Sequence, residues 1–500
     1  MTDQMELIGA GYSAQAPRTT RAAPRMQRRS YQAAQVSRLT SDWIAGPATA
    51  DQEVHAALRT VRARTRDLYR NNDYVRKFAA MVESNVVGPR GVLLQARVTE
   101  RDGRADPGAN TIIEDAWWQW CGKRTADAAG RLSFCDLQRL FTRTVALDGE
   151  CFLRLVRGYP NPYGLALQLI EADRLDENHN AQLEGGREIR MGVELDAWGR
   201  AVAYHVRTRP PGVQGYLSGA GAQTERVPAS EILHGYIVDR VDQTRGMPWP
   251  HTAMTRLRQL GGYEEAELIA ARIAASKMGF YKRSGDGAGV LVGDDKDESG
   301  NLVQEAAPGM FEELPLGYEF EAWNPDHPAG NYGTFVKSCL RGIASGLGVA
   351  YTSLANDLEG VNYSSIRSGL LEERDHWRCL QGWLIEHLLQ PVFEAWLEMA
   401  ILRGALNLPM AKFQKFNAVK WQPRGWQWVD PLKDVDASIA AVGAGFKTRA
   451  QVVAEAGEDI EAVFAQLAKE QDLAKQYGLT LTSEKPKAPA PANNQEETPS

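Results

Sequence analysis

The spacing of apolar residues predicts helices in the first part of the chain. From 51 to 83 apolar positions recur at helical intervals, and the polar stretch at 71–73 can cap a following helix. Gly88 and Pro89 then end this pattern. The other helices predicted in this part are 112–120 and 137–147.

Strand-like alternation replaces the helical spacing after residue 150. We expect strands at 151–156, 165–170 and 189–195, and a turn at 196–199 that leads into a strand at 201–206. Because helices are grouped first and strands next, this pattern predicts an α+β, mainly helical fold.

The second half of the chain is dominated by long helical patterns. After Pro248 and Pro250, residues 252–282 form an uninterrupted run, which would span roughly 46 Å as one helix. Its second half is rich in alanine, which lets neighbouring helices pack closely. The elements predicted after it are an insert at 284–333 with short strands at 289–292 and 319–323, a helix at 335–347, a polar loop at 353–362, a long helix at 364–402 and a final block at 421–478.

Composition and charge restrict the function. The chain has 43% hydrophobic residues, 24% charged residues and a formal net charge of −6. It has no apolar run of the roughly 18 residues that a membrane helix needs, and its first residues lack a secretory signal, so we expect a cytoplasmic chain with no membrane partner. An acidic chain that meets DNA is not expected to grip it tightly.

Both ends of the chain have the composition of tails. Residues 1–40 hold six arginines against Asp3 and Glu6, which predicts a disordered basic arm. The final residues, 481–500, are rich in Lys, Pro, Ala and Glu and are predicted to form a disordered tail.

Motifs that could carry catalysis or bind a cofactor are incomplete. Glycines at 285–289 lack the spacing and context of a dinucleotide loop, and the acidic run at 295–300 lacks the closing carboxylate of a calcium loop. Glu373 and His376 have the spacing of half a di-iron site, but no second such pair exists. The five cysteines form no zinc pattern and are expected to be buried, reduced thiols. We therefore predict no catalytic, metal or cofactor-binding residue.

The arginines between 59 and 76 are interspersed with carboxylates. This pattern favours a helix that faces solvent or a neighbouring subunit over a DNA-binding site.

Ten short stretches of the sequence, taken in order along the chain, resemble the portal proteins of lambda-type tailed phages. No single stretch is specific, but their order and spacing across 45–475 make the resemblance strong, and 362–367 is the most characteristic. The stretches are 70–77 (RNNDYVRK), 84–88 (SNVVG), 149–152 (GECF), 169–174 (LIEADR), 192–204 (GVELDAWGRAVAY), 227–229 (VPA), 232–234 (ILH), 243–248 (QTRGMP), 362–367 (NYSSIR) and 429–433 (VDPLK).

The resemblance implies a fold with a wing, a helical stem, a clip and a crown. The implied division is an arm at 1–40, an α+β wing at 41–245, a stem helix at 246–283, a clip at 284–333, a returning stem helix with tunnel loop and long helix at 334–404, a crown at 405–480 and a tail at 481–500.

The resemblance also implies a function that is mechanical rather than enzymatic. Such proteins form a ring, usually a dodecamer of about twelve copies, at one capsid vertex of the virion. The ring conducts double-stranded DNA non-specifically during packaging and ejection. Its expected partners are other copies of itself, the terminase large subunit, the major capsid or scaffold protein and a head-completion protein, with assembly in the host cytoplasm. Some members of the family lose their N-terminal arm during head maturation, and the basic arm permits this.

Two sets of residues are candidates for the channel. The tunnel loop would contain Ser353, Asn356, Asp357, Glu359 and Asn362, which carry no cation and would confine DNA sterically. The cations expected on the stem helix, which either face the channel or pair with a neighbouring subunit, are Arg256, Arg272, Lys277 and Lys282.

Two other classes of function stay open at the level of sequence. A metal-dependent enzyme would need a cluster of carboxylates with ligand spacing, which the sequence does not offer. A different structural protein of the phage head would not form a closed ring with a lumen. The exposed apolar and small residues of a long stalk favour the ring.

Overall fold

The computed structural model describes residues 46–209, 223–275, 279–283, 318–322, 332–360, 362–426 and 431–479. The basic arm predicted at 1–40, the tail at 481–500, most of the insert at 284–333 and Lys277 lie outside these residues. Among the described helices, none combines the length and apolar character needed to cross a bilayer.

The described chain begins with two helices and a capped break between them, as predicted. The helices are α1 (Ala50–Asn71) and α2 (Asp73–Val82). The Asn72 side chain accepts hydrogen bonds from the backbone N–H groups of Tyr74 and Val75, both at 3.1 Å, which satisfies donors at the start of α2. A π-helical turn at Glu83–Val87 prolongs α2, and Gly88 ends it with a φ of 80°.

Three more helices complete the first helical group. They are α3 (Pro107–Trp120), α4 (Lys123–Ala126) and α5 (Phe134–Asp148). Ser133 and Asp136 form a capping box that starts α5, and Gly149 ends it in the left-handed conformation, with a φ of 89°. A Cβ atom on Gly149 would lie 2.5 Å from the carbonyl carbon of Met247, so this turn requires glycine.

The sheets are small and antiparallel. In chain order, the strands are β1 (Leu93–Ala96), β2 (Glu150–Arg157), β3 (Leu165–Ile170), β4 (Ala181–Gln182), β5 (Glu188–Arg190), β6 (Val193–Leu195), β7 (Ala201–Arg207), β8 (Thr224–Pro228) and β9 (Ile232–Tyr236). One sheet has the order β3-β2-β9 and another the order β4-β5-β6-β7-β8. Along the chain, the elements up to Asp148 are mainly helices and those from Glu150 to Tyr236 are mainly strands. This order confirms the predicted α+β fold.

The single strand predicted at 189–195 is wrong, because the structure has two strands there. Met191 and Gly192 have positive φ values of 46° and 83° and turn the chain back on itself between β5 and β6. The apolar spacing across 189–195 continues through this turn, so the pattern alone does not reveal it.

The long helix predicted at 252–282 ends earlier than expected. Helix α6 runs over Met254–Ala275, and strand β10 (Gly279–Arg283) pairs antiparallel with β11 (Tyr318–Ala322). Lys282 therefore lies on a strand and not on the stem helix. The aromatic pair at 280–281 favours a strand over a helix, which accounts for the change. Helix α7 (Tyr332–Leu347) follows, close to its predicted position.

The long helix predicted at 364–402 is confirmed, with a π-helical turn inside it. It consists of α9 (Tyr363–Leu384), the turn Ile385–Leu389 and α10 (Gln390–Leu402). Pro391 lies in the first turn of α10, where it removes one backbone donor, and the wider π-helical turn precedes it. The loop predicted at 353–362 is wrong at its start, because the short helix α8 (Tyr351–Ala355) includes Ser353.

The last part of the described chain contributes a strand that pairs with β1. Its elements are α11 (Phe413–Phe416), β12 (Val419–Gln422), α12 (Pro431–Gly443), α13 (Arg449–Glu455) and α14 (Ile460–Gln476). Strand β12 pairs antiparallel with β1, so two segments more than 300 residues apart form one sheet.

Buried aromatic side chains hold α3, α5 and α10 together. The ring of Trp117 lies 5.0 Å from that of Trp396 and 5.3 Å from that of Phe134, in edge-on contacts that aromatic quadrupoles favour. Trp120 is also fully buried, and its Nε1 donates to the carbonyl of Leu165 at 2.9 Å. The five cysteines are free thiols, as predicted, but the prediction that they are buried holds only for Cys151. Cys379 is exposed, and the other three are partly exposed.

Candidate channel and assembly site

The two stalk helices, α6 and α7, pack closely at one end. A Cβ atom on Gly342 would lie 1.8 Å from Nη1 of Arg256, and Thr252 donates its hydroxyl hydrogen bond to the carbonyl of Gly346 at 2.9 Å. Gly342 and Gly346 thus form a bare strip on α7 that accepts the start of α6. The Arg256 guanidinium lies across this strip.

The other end of α6 is only partly covered by the described chain. The ring of Tyr263 lies 5.8 Å from that of Tyr332 and 5.1 Å from that of Phe335, and Glu264 accepts a hydrogen bond from the hydroxyl of Tyr74 at 3.4 Å. No described residue from Gly261 to Arg272 is buried, whereas Leu257 and Leu260 are. Leu268 is 66% exposed and Ile269 is 48% exposed. Arg272 is exposed on the same half of the helix.

Most of the residues predicted for the tunnel loop bond to neighbouring parts of the chain. Asp357 accepts a hydrogen bond from the hydroxyl of Tyr351 at 2.6 Å and lies 3.2 Å from Nζ of Lys337. Glu359 accepts from the same Nζ at 2.9 Å. The Tyr351 hydroxyl, a backbone N–H and Lys337 lower the pKa of Asp357 to about 2. Asn356 begins this loop in the left-handed conformation, with a φ of 53°.

The remaining two predicted loop residues, Ser353 and Asn362, form hydrogen bonds at the two ends of the loop. Ser353 donates a hydrogen bond to Oε2 of Glu373 at 2.7 Å, which ties α8 to α9. Asn362 caps α9 by accepting from the N–H of Ser365 at 2.8 Å. The predicted loop residues therefore belong to three different local structures: a short helix, a turn and a helix cap.

The sequence interpretation missed the cations beside this loop. Lys337 and Arg341 lie one turn apart on α7, and the Arg341 guanidinium is 5.4 Å from the centre of the Tyr351 ring. The prediction that the loop carries no cation holds for its own residues, but α7 supplies a lysine to it. The i, i+4 spacing of the two cations on one helical face was the available signal.

A second cluster joins the helices to the sheets, and we call it the Glu150 network. Glu150 is fully buried and accepts from Nε of Arg245 at 2.7 Å, from Nη2 of Arg62 at 2.7 Å and from His234 at 3.0 Å. Arg62 also donates to Asp173 at 2.8 Å. The outer members of the network are Arg66, Asp148 and the carbonyl of Met191.

Charge pairing inside this network overcomes burial. Burial alone would raise the pKa of Glu150, but Arg245, the His234 hydrogen bond and Arg62 hold it well below its usual value. Burial lowers the pKa of His234, so the imidazole is neutral and donates to the carboxylate. The prediction that the arginines at 59–76 face solvent or a neighbour is therefore wrong for Arg62, which is 2% exposed.

The structure describes one of the other motifs considered in the sequence, the pair Glu373 and His376. Glu373 is buried against Ser353, and His376 lies one turn further along α9. Within the described ranges no group of three His, Cys, Asp or Glu side chains could hold a metal ion. The glycine and acidic motifs at 285–300 lie outside the described residues.

Four of the sequence segments that resemble portal proteins contribute residues to the Glu150 network. Glu150, Asp173, His234 and Arg245 come from four different segments, at 149–152, 169–174, 232–234 and 243–248, and all four join the Glu150 network. A cluster of charged residues drawn from separate resembling segments is the signal that could have identified the network before the structure.

Comparison with known proteins identifies the same family as these resembling segments. The family model described as phage portal protein, lambda family, matches residues 36–381. The probable portal protein of Halomonas phage phiHAP-1 is 34% identical over 455 residues, covering 90% of this chain and 88% of the relative. Portal protein B of Escherichia phage lambda is 23% identical over 446 residues, covering 82% of each chain.

Among solved structures, a chain from the neck of an empty gene transfer agent particle is similar at 15% identity. It covers 84% of this chain and 98% of its own length, with a TM-score of 0.43. Portal proteins are structural components of the particle and not enzymes. The match over most of its length shows that this chain belongs to the lambda family of phage portal proteins.

Proposed function

We propose that this chain is one subunit of a closed ring at one capsid vertex, which conducts double-stranded DNA during packaging and ejection. Membership of the portal family carries the proposal. In this proposal the ring assembles in the host cytoplasm and docks the terminase large subunit, the major capsid or scaffold protein and a head-completion protein.

The exposed half of α6 supports assembly into a ring. A helix that buries no residue over three turns is not stable by its own hydrogen bonds, because isolated helices of this length are marginal in water. Leu268 and Ile269 expose large apolar side chains there, and a second copy of the chain that covers them would stabilise the helix.

The arrangement of charges around the 356–360 turn supports unhindered passage of DNA. Asp357 and Glu359 both pair with Lys337, so a ring of such lysines would be largely neutralised. A channel for DNA of any sequence requires weak phosphate contacts, since strong contacts would hold the duplex in place. We assign this turn, together with Ser353 and Asn362, to the narrow part of the channel.

The division of the chain into parts extends the proposal. We assign 41–245 to the wing, 246–283 and 334–404 to the stem region and 405–480 to the crown. In this assignment the 284–333 segment is the clip that docks the motor and later the head-completion protein. The stem region includes Arg256 and Arg272, which then face either the channel or a neighbouring subunit.

Electron microscopy of the purified protein, with its mass measured by light scattering, tests the ring directly. We expect rings of about twelve subunits with a central hole. Leu268→Glu places a charge in the proposed interface and should convert rings to monomers. Leu402→Glu is the matched control, since Leu402 is 62% exposed on α10, and it should leave the rings intact.

A wild-type protein that stays monomeric at every salt concentration contradicts the proposal. If wild-type rings form and Leu268→Glu rings are equally stable, the interface lies elsewhere and the contribution assigned to α6 is wrong.

A further inference from the structure

A groove between α9 and α12 carries cations on one face of a long helix. Arg367, Arg374 and Arg378 are seven and four residues apart on α9, so they form a single stripe along the helix. Four cations and two carboxylates belong to the groove lining. Arg367 pairs with Asp434 at 2.7 Å. The other lining carboxylate, Glu455, pairs with Lys447 at 2.8 Å.

Two of these arginines lie near an indole ring. The guanidinium carbons of Arg374 and Arg378 lie 5.9 Å and 5.6 Å from the centre of the Trp426 ring. The ring is itself held in place, because its Nε1 donates to Oδ1 of Asn85 at 3.1 Å. We call this cluster the Trp426 groove.

Positive charge in the Trp426 groove is concentrated further by Arg424. Its guanidinium donates to the carbonyl of Ser84 and to Oδ1 of Asn85, and within the described chain no carboxylate lies within salt-bridge distance of it. Burial lowers the pKa of Arg374, and the charges of Arg378 and Arg424 lower it further, while Asp434 and Glu373 offset only part of this effect. An anion bound here would relieve this repulsion.

We propose that the Trp426 groove binds the phosphodiester backbone of double-stranded DNA, with Arg374 and Arg378 as its phosphate ligands. This inference rests on the proposed function, since it gives the conducted DNA a contact on each subunit. Arg378 also pairs with Asp375 at 2.6 Å, and both side chains are more than half exposed. An exposed pair of this kind is weak and exchanges readily for a phosphate.

The chemistry of the groove favours a phosphodiester over an acidic protein segment. A guanidinium presents paired N–H donors in one plane, which suits the paired oxygens of a phosphate. Protein partners are usually anchored by aromatic or large apolar side chains in a buried pocket. Here the aromatic ring of the described lining is covered by arginines, and Leu371 is the large aliphatic residue that remains.

Binding of a short fluorescent DNA duplex by the assembled full-length protein, measured from roughly 50 to 200 mM salt, tests the groove. Arg374→Gln combined with Arg378→Gln should weaken DNA binding at low salt at least about tenfold. The slope of the logarithm of the binding constant against the logarithm of the salt concentration should become shallower by about 0.9 for each lost phosphate contact. The control, Arg59→Gln with Arg104→Gln, removes two arginines that are 83% and 86% exposed elsewhere, and should bind as the wild type does.

A charge-preserving variant separates geometry from charge. Arg374→Lys with Arg378→Lys should keep the salt slope but weaken binding several-fold, because lysine lacks the planar guanidinium. Wild-type affinity in both groove variants overturns the inference. So does a polyglutamate peptide that binds the groove more tightly than the duplex does, since the occupant is then an acidic protein segment.

Electron microscopy of the same samples separates the two proposals. If the groove variants form intact rings and bind DNA as the wild type does, DNA binding by the Trp426 groove is refuted and the proposed ring is unaffected. A wild-type protein without rings refutes the proposed function, whatever its affinity for DNA.

Discussion

The Glu150 network and the Lys337 pairs use the same kinds of charge in opposite environments. The Arg245 and Glu150 side chains are both 0% exposed, whereas those of Lys337 and Glu359 are 38% and 83% exposed. A buried charge that loses its partner is left in a medium of low dielectric constant, but an exposed charge regains water. The first cluster therefore fixes the positions of α1, β2 and the chain before α6, and the second can exchange partners at little cost.

The largest effect is expected from Glu150→Gln, which keeps the size of the side chain and removes its charge. Arg62 and Arg245 would then be buried without their shared carboxylate, and the free energy of unfolding should fall by about 3–5 kcal/mol. Urea denaturation followed by circular dichroism measures this loss. Glu225→Gln, which breaks the partly exposed pair with Arg154, should cost less than about 1 kcal/mol. Equal losses in the two variants would remove the distinction between the clusters.

A smaller effect is expected from pH, through His234. Because burial lowers its pKa below the ordinary 6.5, the unfolded chain binds a proton near that pH while the folded chain does not. The stability due to neutral His234 is fully present above about pH 6.5 and falls as the pH drops towards the folded pKa, by up to about 1.4 kcal/mol per pH unit.

His234→Gln should remove that part of the pH dependence, so its denaturation midpoint should change less than the wild-type midpoint between pH 7.5 and pH 5.5. His387→Gln, at an exposed imidazole that bonds to the carbonyl of Trp383, is the control and should keep the wild-type slope. A variant at His234 with an unchanged slope would show that the imidazole is not held neutral.

The smallest effect is expected from Asp357→Asn combined with Glu359→Gln. Asp357 is partly exposed and Glu359 is exposed, and both share the solvent-accessible Lys337, so their loss should change the thermal midpoint little. The same variant frees one lysine per subunit, and its rings should bind duplex DNA more tightly and with a steeper salt dependence than wild-type rings. A large fall in the thermal midpoint would mean that the loop pairs are structural, like those around Glu150.

The helical part of the fold could be predicted because its signals are local. The cap at Asn72, the capping box before α5 and the long helix after Asn362 depend on residues a few positions apart. The turn at Met191 could not be predicted, since the apolar spacing runs through it and the Arg245 donor that bonds the Met191 carbonyl lies 54 residues away.

The candidate sites were harder to predict than the fold, for the same reason. Arg62 and Glu150 are 88 positions apart, and an arginine on a helix has the same local sequence whether it faces water or a buried carboxylate. The tunnel-loop residues were predicted from resemblance, but Lys337, which pairs with two of them, belongs to another helix. The Trp426 groove brings together residues from 85 to 455, and no local pattern marks it.

The pairing of β10 with β11 brings the two ends of the intervening segment together. Arg283 and Tyr318 are opposite each other in this ladder, so the 284–317 segment leaves and re-enters the chain at two neighbouring points. Closing a longer segment between such points adds only about 0.6 kcal/mol for each doubling of its length. A change in the length of this segment is therefore expected to leave the pairing of β10 with β11 nearly as stable as before.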